Sequence, residues 1–297
     1  MYTKKRSDGT YLKNLHFFTQ MLPYLMPTRT DAVIYFETEF DVTETLKYIR
    51  KKRNESNLKV SMFYLILYAT IRVIAQRPKL NRFVSGHRYY QRNSIKFNFV
   101  AKREMSDDGE EVNVTMTFSP LLTLEGFCNK IHDHLLSIKK GEKTDSEKTN
   151  SFFTRLPRFV VRFAVWFLKY LDYHNGLPKS VINSLPFWCS IFFTNVGSVG
   201  IDAPFHHNFE IGNCGIFCAI GKIRRENILK ADGTIDKRDK VKITFTYDDR
   251  ITDGIYCARA IDMVKDLVEN PEKLETHLEL TQEQLDYLKL AKSELVL

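Results

Sequence analysis

The stretch that decides the fold is Phe245-Thr-Tyr-Asp-Asp-Arg-Ile-Thr-Asp-Gly-Ile-Tyr-Cys257. It begins inside a run, residues 241–247, in which apolar and polar side chains alternate, and a period of two residues predicts a strand with one buried face. A helix is predicted over about residues 255–269. The polar residues DDRITDG therefore join the end of a strand directly to the start of a helix.

Strands and helices are mixed along the rest of the chain. Residues 31–40 have the composition of a strand, and Asp41 with Glu44 has the spacing of a helix N-cap and capping box. Ser61 opens an almost wholly apolar helix that stops near Pro78, and a helix without a polar face is expected to be buried. Further strands are predicted in a hairpin within 88–119 and at 187–194, 213–224 and 240–247, and further helices at 124–138 and 281–297. No internal repeat is visible, so one α/β domain over residues 1–297 is predicted.

The net charge of +8, with an isoelectric point near 9.1, attracts anions in general: nucleic acid, acidic membrane surfaces or phosphorylated cofactors. The basic residues are scattered and mixed with acidic ones. No helix-turn-helix or zinc-finger spacing is present, so nucleic acid is not the expected partner.

Five cysteines are present, which is an odd number, and they lie in apolar or strand-like segments. They are Cys128, Cys189, Cys214, Cys218 and Cys257. Buried free thiols in a reducing compartment explain them better than a disulfide framework. Residues 1–9 are basic with no apolar stretch behind them, which is not the pattern of a signal peptide. A cytoplasmic protein without a bound metal is predicted.

Residues 245–257 resemble the catalytic signature of the CoA-dependent acyltransferase superfamily. Dihydrolipoamide acyltransferases carry Asp-His-Arg-x-x-Asp-Gly there, and chloramphenicol acetyltransferase carries His-His-x-x-x-Asp-Gly. Asp248, Arg250, Asp253 and Gly254 match this signature, and these residues are expected to hold the active-site turn.

Other segments resemble the same superfamily in the same order, so that the resemblance covers roughly residues 10–275. Residues 193–200 are similar to its Thr-Ile-Ser-Asn-x-Gly segment, and residues 216–224 to its Ala-Ile-Leu-Gly-Val-Gly strand. The resemblance implies a chloramphenicol-acetyltransferase-like α/β domain, in which helices pack on one side of a mixed β-sheet. It also implies a homotrimer with active sites between subunits, and coenzyme A or an acyl-CoA as substrate.

Two departures from the superfamily matter for function. The position of its catalytic histidine is occupied by Asp249, and no lipoyl domain is expected upstream of a fold that starts within the first dozen residues. In the resembled enzymes that histidine takes the proton from the attacking thiol or hydroxyl. An aspartate with an ordinary pKa is a far poorer base at neutral pH than an imidazole.

Three explanations of the missing histidine stay open. Burial and neighbouring carboxylates could raise the pKa of Asp249 enough for it to act as the base. Asp249 could instead be a structural carboxylate, bonded to Arg250 or to a backbone amide. The third candidate is the pair His206 and His207, which lies in a polar loop before the strand at 213–224.

The segment resembling Thr-Ile-Ser-Asn-x-Gly supplies the remaining candidates. Thr194 stands where the family often has a serine, and it is the candidate for the hydroxyl that stabilises the tetrahedral oxyanion. Asn195 and Gly197 are candidates for substrate binding by the same resemblance. Thr194 could equally be an ordinary strand residue, and Gly197 with Gly200 could simply form a tight turn.

Two adjacent segments, a charged loop and an apolar insertion, have no part in the motifs quoted above. Residues 139–150 are charged and lack apolar side chains, so a mobile loop is expected. Residues 152–171 are an apolar insertion in which Arg155, Arg158, Arg162 and Lys169 fall near one helical face. Such an amphipathic helix is expected to be a lid or to pack at an interface; contact with a membrane surface is the less favoured alternative.

These features lead to three functional hypotheses. The chain transfers an acyl group from CoA or another thioester to an unknown acceptor, with reduced activity or with a relocated base. Alternatively, it is a non-catalytic trimeric binding or scaffold protein that keeps the acyltransferase fold. A third possibility is a membrane-surface protein that works through the helix at 152–171.

Overall fold

The computed structural model describes residues 5–104, 106, 109–144, 147, 155–291 and 295. The helices are α1 (Phe17–Leu25), α2 (Thr43–Glu55), α3 (Met62–Gln76), α4 (Leu124–Lys139), α5 (Arg158–Tyr173), α6 (Lys179–Ser184), α7 (Gly254–Glu269) and α8 (Gln282–Leu288). The strands are β1 (Gly9–Tyr11), β2 (Val33–Asp41), β3 (Arg82–Ser85), β4 (Arg88–Arg92), β5 (Ile95–Lys102), β6 (Glu111–Phe118), β7 (Ile191–Asn195), β8 (Ile216–Leu229) and β9 (Ile235–Asp248).

Six strands form a mixed sheet in the order β2-β9-β8-β7-β5-β6, in which β7 runs parallel to β5 and β8. The strands β1-β4-β3 form a second, antiparallel sheet. The predicted class, an α/β domain built on a mixed sheet, is confirmed.

Helices α2, α3, α4 and α7 cover one face of the six-stranded sheet and enclose the main hydrophobic core. The hairpin β5-β6 shows the alternation that its sequence predicts: Phe97 and Val114 point into this core, whereas Asn98 and Thr115 point to the other face. Helix α3 lies at the centre of the core, and the hydroxyl of Ser61 accepts a hydrogen bond from the third residue of its first turn. The predicted buried helix is confirmed.

The opposite face of the sheet, called the open face below, carries a smaller apolar cluster that includes Phe192 and Phe217. The loop of residues 201–214 lies across it. The hydroxyl of Thr244 donates to the carbonyl of Pro204, at 2.6 Å. The hydroxyl of Thr246, on the same face of β9, donates to the carbonyl of His206. Two threonines of β9 therefore fix the path of this loop over the sheet.

A buried ion network fastens the second sheet to α5. Arg6 pairs with Asp8 and with Asp172, each at 2.8 Å, and the Arg6 side chain is 2% exposed. The indole of Trp188 donates to the same Asp172 carboxylate, at 2.9 Å. Every polar partner in this network is hydrogen-bonded, as buried charges require.

The start of α2 differs from the prediction. Asp41 does not cap the helix, because it still belongs to β2, where it pairs with Lys240 of β9. Its carboxylate accepts hydrogen bonds from the amide and hydroxyl of Thr43, and the N-cap is Val42. Glu44 forms an ion pair with a lysine one turn later instead of a capping box.

The helix predicted at 281–297 is shorter than expected. Thr281 and Gln284 form a capping box at the start of α8, and the helix ends at Leu288. Lys289 takes up the left-handed conformation, with φ of 54°, and the amide of Ala291 then donates to the carbonyl of Asn93. This turn directs the chain back to the second sheet in place of a further helical turn.

The charged loop at 139–150 and the insertion at 152–171 lie partly beyond the described residues. The mobility expected of residues 139–150 stays a prediction, since α4 ends at Lys139 and residues 145, 146 and 148–150 are not described. The insertion at 152–171 forms α5 from Arg158 onward, as the helical prediction requires. Leu168 and Leu171 pack against the cluster around Trp188. In the described part of the chain, no helix has the length and apolarity that a membrane crossing needs.

Candidate functional site

The DDRITDG segment makes a tight connection between β9 and α7. The strand ends at Asp248 and the helix begins at Gly254. Asp253 is the N-cap of α7, and its carboxylate accepts a hydrogen bond of 2.9 Å from the amide of Tyr256. A carboxylate at this place satisfies an otherwise free helical N–H and interacts favourably with the helix dipole. The second aspartate of the signature thus caps the helix, and the arginine of the turn is bonded by Asp248.

Asp248 and Arg250 form the buried centre of the turn. Two hydrogen bonds of 2.7 Å join the guanidinium to both carboxylate oxygens, and the two side chains are 2% and 3% exposed. The remaining guanidinium nitrogen donates to the carbonyls of Met26 and Pro27, at 2.8 and 3.2 Å. The pair therefore ties the signature turn to the end of α1. The interpretation in which Arg250 bonds Asp249 is wrong, because Asp248 takes up the guanidinium.

A second buried arginine, Arg29, was missed in the sequence. Its guanidinium donates to the carbonyls of Phe209 and Gly212, at the end of the loop that crosses the open face. Glu210 in the same loop accepts hydrogen bonds from the amide and hydroxyl of Thr30, at 2.8 and 2.7 Å. The segment after α1 is thus attached to both the signature turn and this loop. A single arginine in a loop gives no sequence signal for such a role.

Asp249 lies half-buried beside this cluster, and its backbone amide donates to the carbonyl of Ala32, at 2.8 Å. Burial, together with the charge of Asp248, raises the pKa of Asp249 above its ordinary value. A raised pKa would make the Asp249 carboxylate a stronger base than an ordinary aspartate.

Thr194 lies near the end of β7 on the open face, half-buried and opposite Ala219 of β8. Asn195 follows and leads into a short 3-10 turn, Val196–Val199. Gly197 is required by close packing in this turn, because a Cβ atom there would lie 2.2 Å from the carbonyl oxygen of Gly221. The tight turn predicted for these glycines is present.

His206 is held on the open face by its ring and by its backbone. The imidazole stacks on Phe217, with centroids 3.8 Å apart and planes 3° from parallel, and the hydroxyl of Thr246 donates to the His206 carbonyl. The Nδ1 atom of His206 lies 2.8 Å from the carbonyl oxygen of His207. A carbonyl oxygen only accepts, so Nδ1 carries the proton and Nε2 keeps its lone pair.

His207 differs from its neighbour in exposure. It is exposed to solvent, and its Nδ1 lies 3.1 Å from the carbonyl oxygen of Asn208. Burial lowers the pKa of His206 below its ordinary value, which favours the neutral ring at neutral pH. Of the two histidines, His206 therefore has the environment of a base.

The sheet register separates Thr194 from the signature turn, and the His206 ring lies over Phe217, midway between them. Phe217, under the His206 ring, is two residues along β8 from the partner of Thr194. Asp248 lies two strands across and four residues along from Thr194, so that about 16 Å separate their Cα atoms by standard sheet spacings. Within one chain, Thr194 and the signature turn do not form a single site.

A cavity of about 200 Å³ lies between the signature turn and α5. Arg29, Arg250, His87, Asp172 and Glu210 are among the residues that line it. Both arginines already bond carbonyl or carboxylate oxygens, as described above. Among the described residues, no cluster of three His, Cys, Asp or Glu side chains has the arrangement of a metal site.

Residues 189–276 match the sequence profile of a family described as 2-oxoacid dehydrogenases acyltransferase (catalytic domain). The matched segment contains β7, the loop with His206, the strands β8 and β9, and α7. No match was found among curated proteins.

One solved structure with a similar fold is a probable dihydrolipoamide acetyltransferase from Listeria monocytogenes, which is 14% identical in sequence and has a TM-score of 0.58. The match covers 91% of this chain and 99% of that chain. The dihydrolipoamide acetyltransferase of Azotobacter vinelandii is similar at 11% identity, with a TM-score of 0.57 and coverage of 89% and 94%. The cubic core of the pyruvate dehydrogenase multienzyme complex follows at 11% identity, with a TM-score of 0.51 and the same coverage. The resemblance to the CoA-dependent acyltransferase superfamily is thus confirmed by profile and by fold.

The raised pKa of Asp249 makes a prediction about stability. The folded protein holds this proton more tightly than the unfolded chain, so the carboxyl group stabilises the fold below its ordinary pKa, and that contribution is lost as the pH rises through the folded value. Asp249→Asn should therefore raise the melting temperature at pH 7, by roughly 1–2 °C after allowance for solvent screening. The difference should shrink towards pH 4.

The control is Asp232→Asn in the β8-β9 hairpin, where hydrogen bonds from Thr234 lower the pKa of the carboxyl group. This substitution should not raise the melting temperature at pH 7. A lower melting temperature for Asp249→Asn at pH 7 would mean that the ionised carboxylate has a stabilising partner.

Proposed function

We propose that this protein transfers an acyl group from coenzyme A, or from another thioester, to a nucleophilic acceptor, and that His206 replaces the signature histidine as the base. The profile match over residues 189–276 and the acyltransferase fold support the class of reaction. The environment of His206 is the observation that carries the proposal. Coenzyme A enters as a substrate.

The proposed proton transfer uses the free lone pair of His206. Its Nδ1–H donates to the His207 carbonyl, and this bond fixes both the tautomer and the plane of the ring. Nε2 is then the acceptor for the proton of the acceptor's thiol or hydroxyl as that group attacks the thioester carbonyl. When the tetrahedral intermediate collapses, the thioester C–S bond breaks, and the leaving thiolate (coenzyme A when an acyl-CoA is the donor) takes the proton back from Nε2. Stacking on Phe217 limits rotation of the ring, so that the base is oriented before substrate binds.

Thr194 is the proposed donor to the oxyanion. Its hydroxyl is on the same face as the His206 ring, and the Cα atoms of Thr194 and Phe217 are about 8 Å apart by sheet spacings. A thioester carbonyl placed between them would have the base on one side and the hydroxyl on the other. Asn195 and Gly197, in the adjoining turn, are proposed to contact the substrate.

The signature turn is proposed to act through structure. In the Azotobacter acetyltransferase, a serine, a histidine and an asparagine were studied for their role in the catalytic mechanism. In this chain the histidine position is Asp249, and Asp248, Arg250 and Asp253 are all occupied by structural bonds. The turn thus keeps the fold of the site, while the proton is taken elsewhere. Because the five cysteines are buried free thiols, the cytoplasm is the proposed compartment.

Activity measurements on matched histidine variants test the proposal. CoA released from acetyl-CoA in the presence of dihydrolipoamide, a dithiol acceptor, should fall about 10²-fold or more in His206→Gln. The exposed neighbour gives the control, His207→Gln, which should keep the activity within a few-fold. Asp249→Asn should also keep most of it.

Two results would contradict the assignment. Wild-type transfer that survives His206→Gln but is lost in Asp249→Asn would return the base to the signature turn. Absence of transfer, together with no CoA binding by calorimetry, would favour the non-catalytic scaffold that keeps the acyltransferase fold.

A homotrimer is also proposed. The similar core of the pyruvate dehydrogenase complex is cubic, and a cubic particle has three-fold axes. Val199 and Ile201 follow the Thr194 turn, and each is more than half exposed at this edge of the open face. A neighbouring copy that covered this edge would exclude water from the site next to Thr194.

Light scattering at micromolar concentration should give the mass of a trimer, and Ile201→Glu should shift it towards the monomer because an unpaired charge would be buried at the contact. Leu229→Glu, at an exposed position in the β8-β9 hairpin, is the matched control and should leave the mass unchanged. A monomeric wild-type protein would remove the proposed contact.

A further inference from the structure

Helix α5 presents a continuous row of aromatic side chains to solvent. This row, called the aromatic face, consists of Phe159, Phe163, Trp166, Phe167, Tyr170 and Tyr173. The exposed fraction reaches 74% at Phe159 and 58% at Trp166. The rings stack along the helix: Phe163 on Phe167, with centroids 6.0 Å apart, and Trp166 on Tyr170, at 5.8 Å. An exposed apolar patch of this kind marks an interaction site.

The helix has three distinct sides. Leu168 and Leu171 lie on the side that packs against the protein. At 100° per residue, Arg158, Arg162 and Lys169 fall within about 40° of one another, and their row lies about 90° from the centre of the aromatic face. The basic row thus borders the aromatic face and does not interrupt it.

Helix α1 extends the same surface. The ring of Tyr24 stacks on the face of His87, with centroids 4.7 Å apart. The edge of the same imidazole faces Tyr173 of α5, and its Nδ1 lies 2.9 Å from the Tyr173 hydroxyl. The exposed apolar side chains of α1 are Phe17, Phe18, Met21, Tyr24 and Leu25. The two helices therefore join at His87 and present their apolar side chains to solvent together.

The charges of this surface have one sign. Residues 13–28 and 155–171 contain arginine, lysine and histidine but no aspartate or glutamate. The acidic residue at the end of α5, Asp172, points inward, where Arg6 and the Trp188 indole occupy its carboxylate. A partner for this surface has to be apolar at its centre and negatively charged at its edge.

We propose that the aromatic face and α1 lie on an anionic phospholipid surface. Tryptophan and tyrosine are enriched at the boundary between headgroups and acyl chains, and basic residues that border an apolar helix face pair with anionic headgroups. The 16 residues of α5 span about 24 Å, and three cations on one side of the helix suit a position in the plane of the interface. The trimer contact is proposed at other residues, Val199 and Ile201.

The chain contains its own reporter of this contact, because it has two tryptophans. Trp166 is in the aromatic face, whereas Trp188 is 1% exposed and does not change environment. The full chain should sediment with vesicles of equal parts phosphatidylglycerol and phosphatidylcholine, and its tryptophan emission should shift to shorter wavelength. Pure phosphatidylcholine vesicles should bind far less. Trp166→Phe should keep sedimentation but abolish the shift.

Charge variants separate a local contact from general attraction. The triple variant Arg158→Gln, Arg162→Gln, Lys169→Gln should weaken vesicle binding by roughly two orders of magnitude, since each basic residue near an anionic surface contributes about five-fold. The control is Arg50→Gln, Lys51→Gln, Arg259→Gln, which removes the same charge from exposed positions on α2 and α7. This control should bind nearly as well as wild type.

Three outcomes would overturn the proposal. The first is wild-type protein that stays in the supernatant when either kind of vesicle is sedimented. Equal loss in the two triple variants would show that net charge alone is responsible. A shift of Trp166 emission that depends on protein concentration and needs no vesicles would assign the aromatic face to contact between copies of the chain.

Discussion

The candidate site depends on one buried ion pair, Asp248 with Arg250. Its two short hydrogen bonds hold the turn after β9, and the same guanidinium bonds the carbonyls at the end of α1. Breaking such a pair by removing one partner typically costs about 3–5 kcal/mol, because an unpaired charge is left in the interior. The turn, the α1 connection and, through Arg29, the loop with His206 share this anchor.

This constraint explains how a signature can be kept while its base is absent. Asp248, Arg250 and Asp253 are each occupied by bonds on which the local fold depends, so their presence follows from the strand–turn–helix geometry. Position 249 has no such bond from its side chain to Arg250. The fold therefore tolerates a change of side chain at the one position where the resembled enzymes place their chemistry.

The sequence predicted those parts of the structure that arise from local periodicity. The alternation in β5 and β6 and the apolar run after Ser61 formed as expected. Local patterns failed where distant pairing decides the outcome. Asp41 has the spacing of a helix cap, yet its pairing with Lys240 keeps it in the strand.

The site was predicted less completely than the fold, for the same reason. His206 was one of several candidates in the sequence, and only its stacking on Phe217 and its partial burial distinguish it from His207. Arg29 was missed because its role comes from carbonyls about 180 residues later in the chain. Neither contact leaves a motif of fixed spacing.

The central claim, that His206 takes the proton, is tested most directly by the pH dependence of kcat/KM for acyl transfer. The account predicts an acidic limb with an apparent pKa below 6.5, the ordinary value for histidine, because burial lowers the pKa of His206. That limb should be present with the same midpoint in wild type and Asp249→Asn. A limb that moves or disappears in Asp249→Asn would contradict the account and place the base in the signature turn.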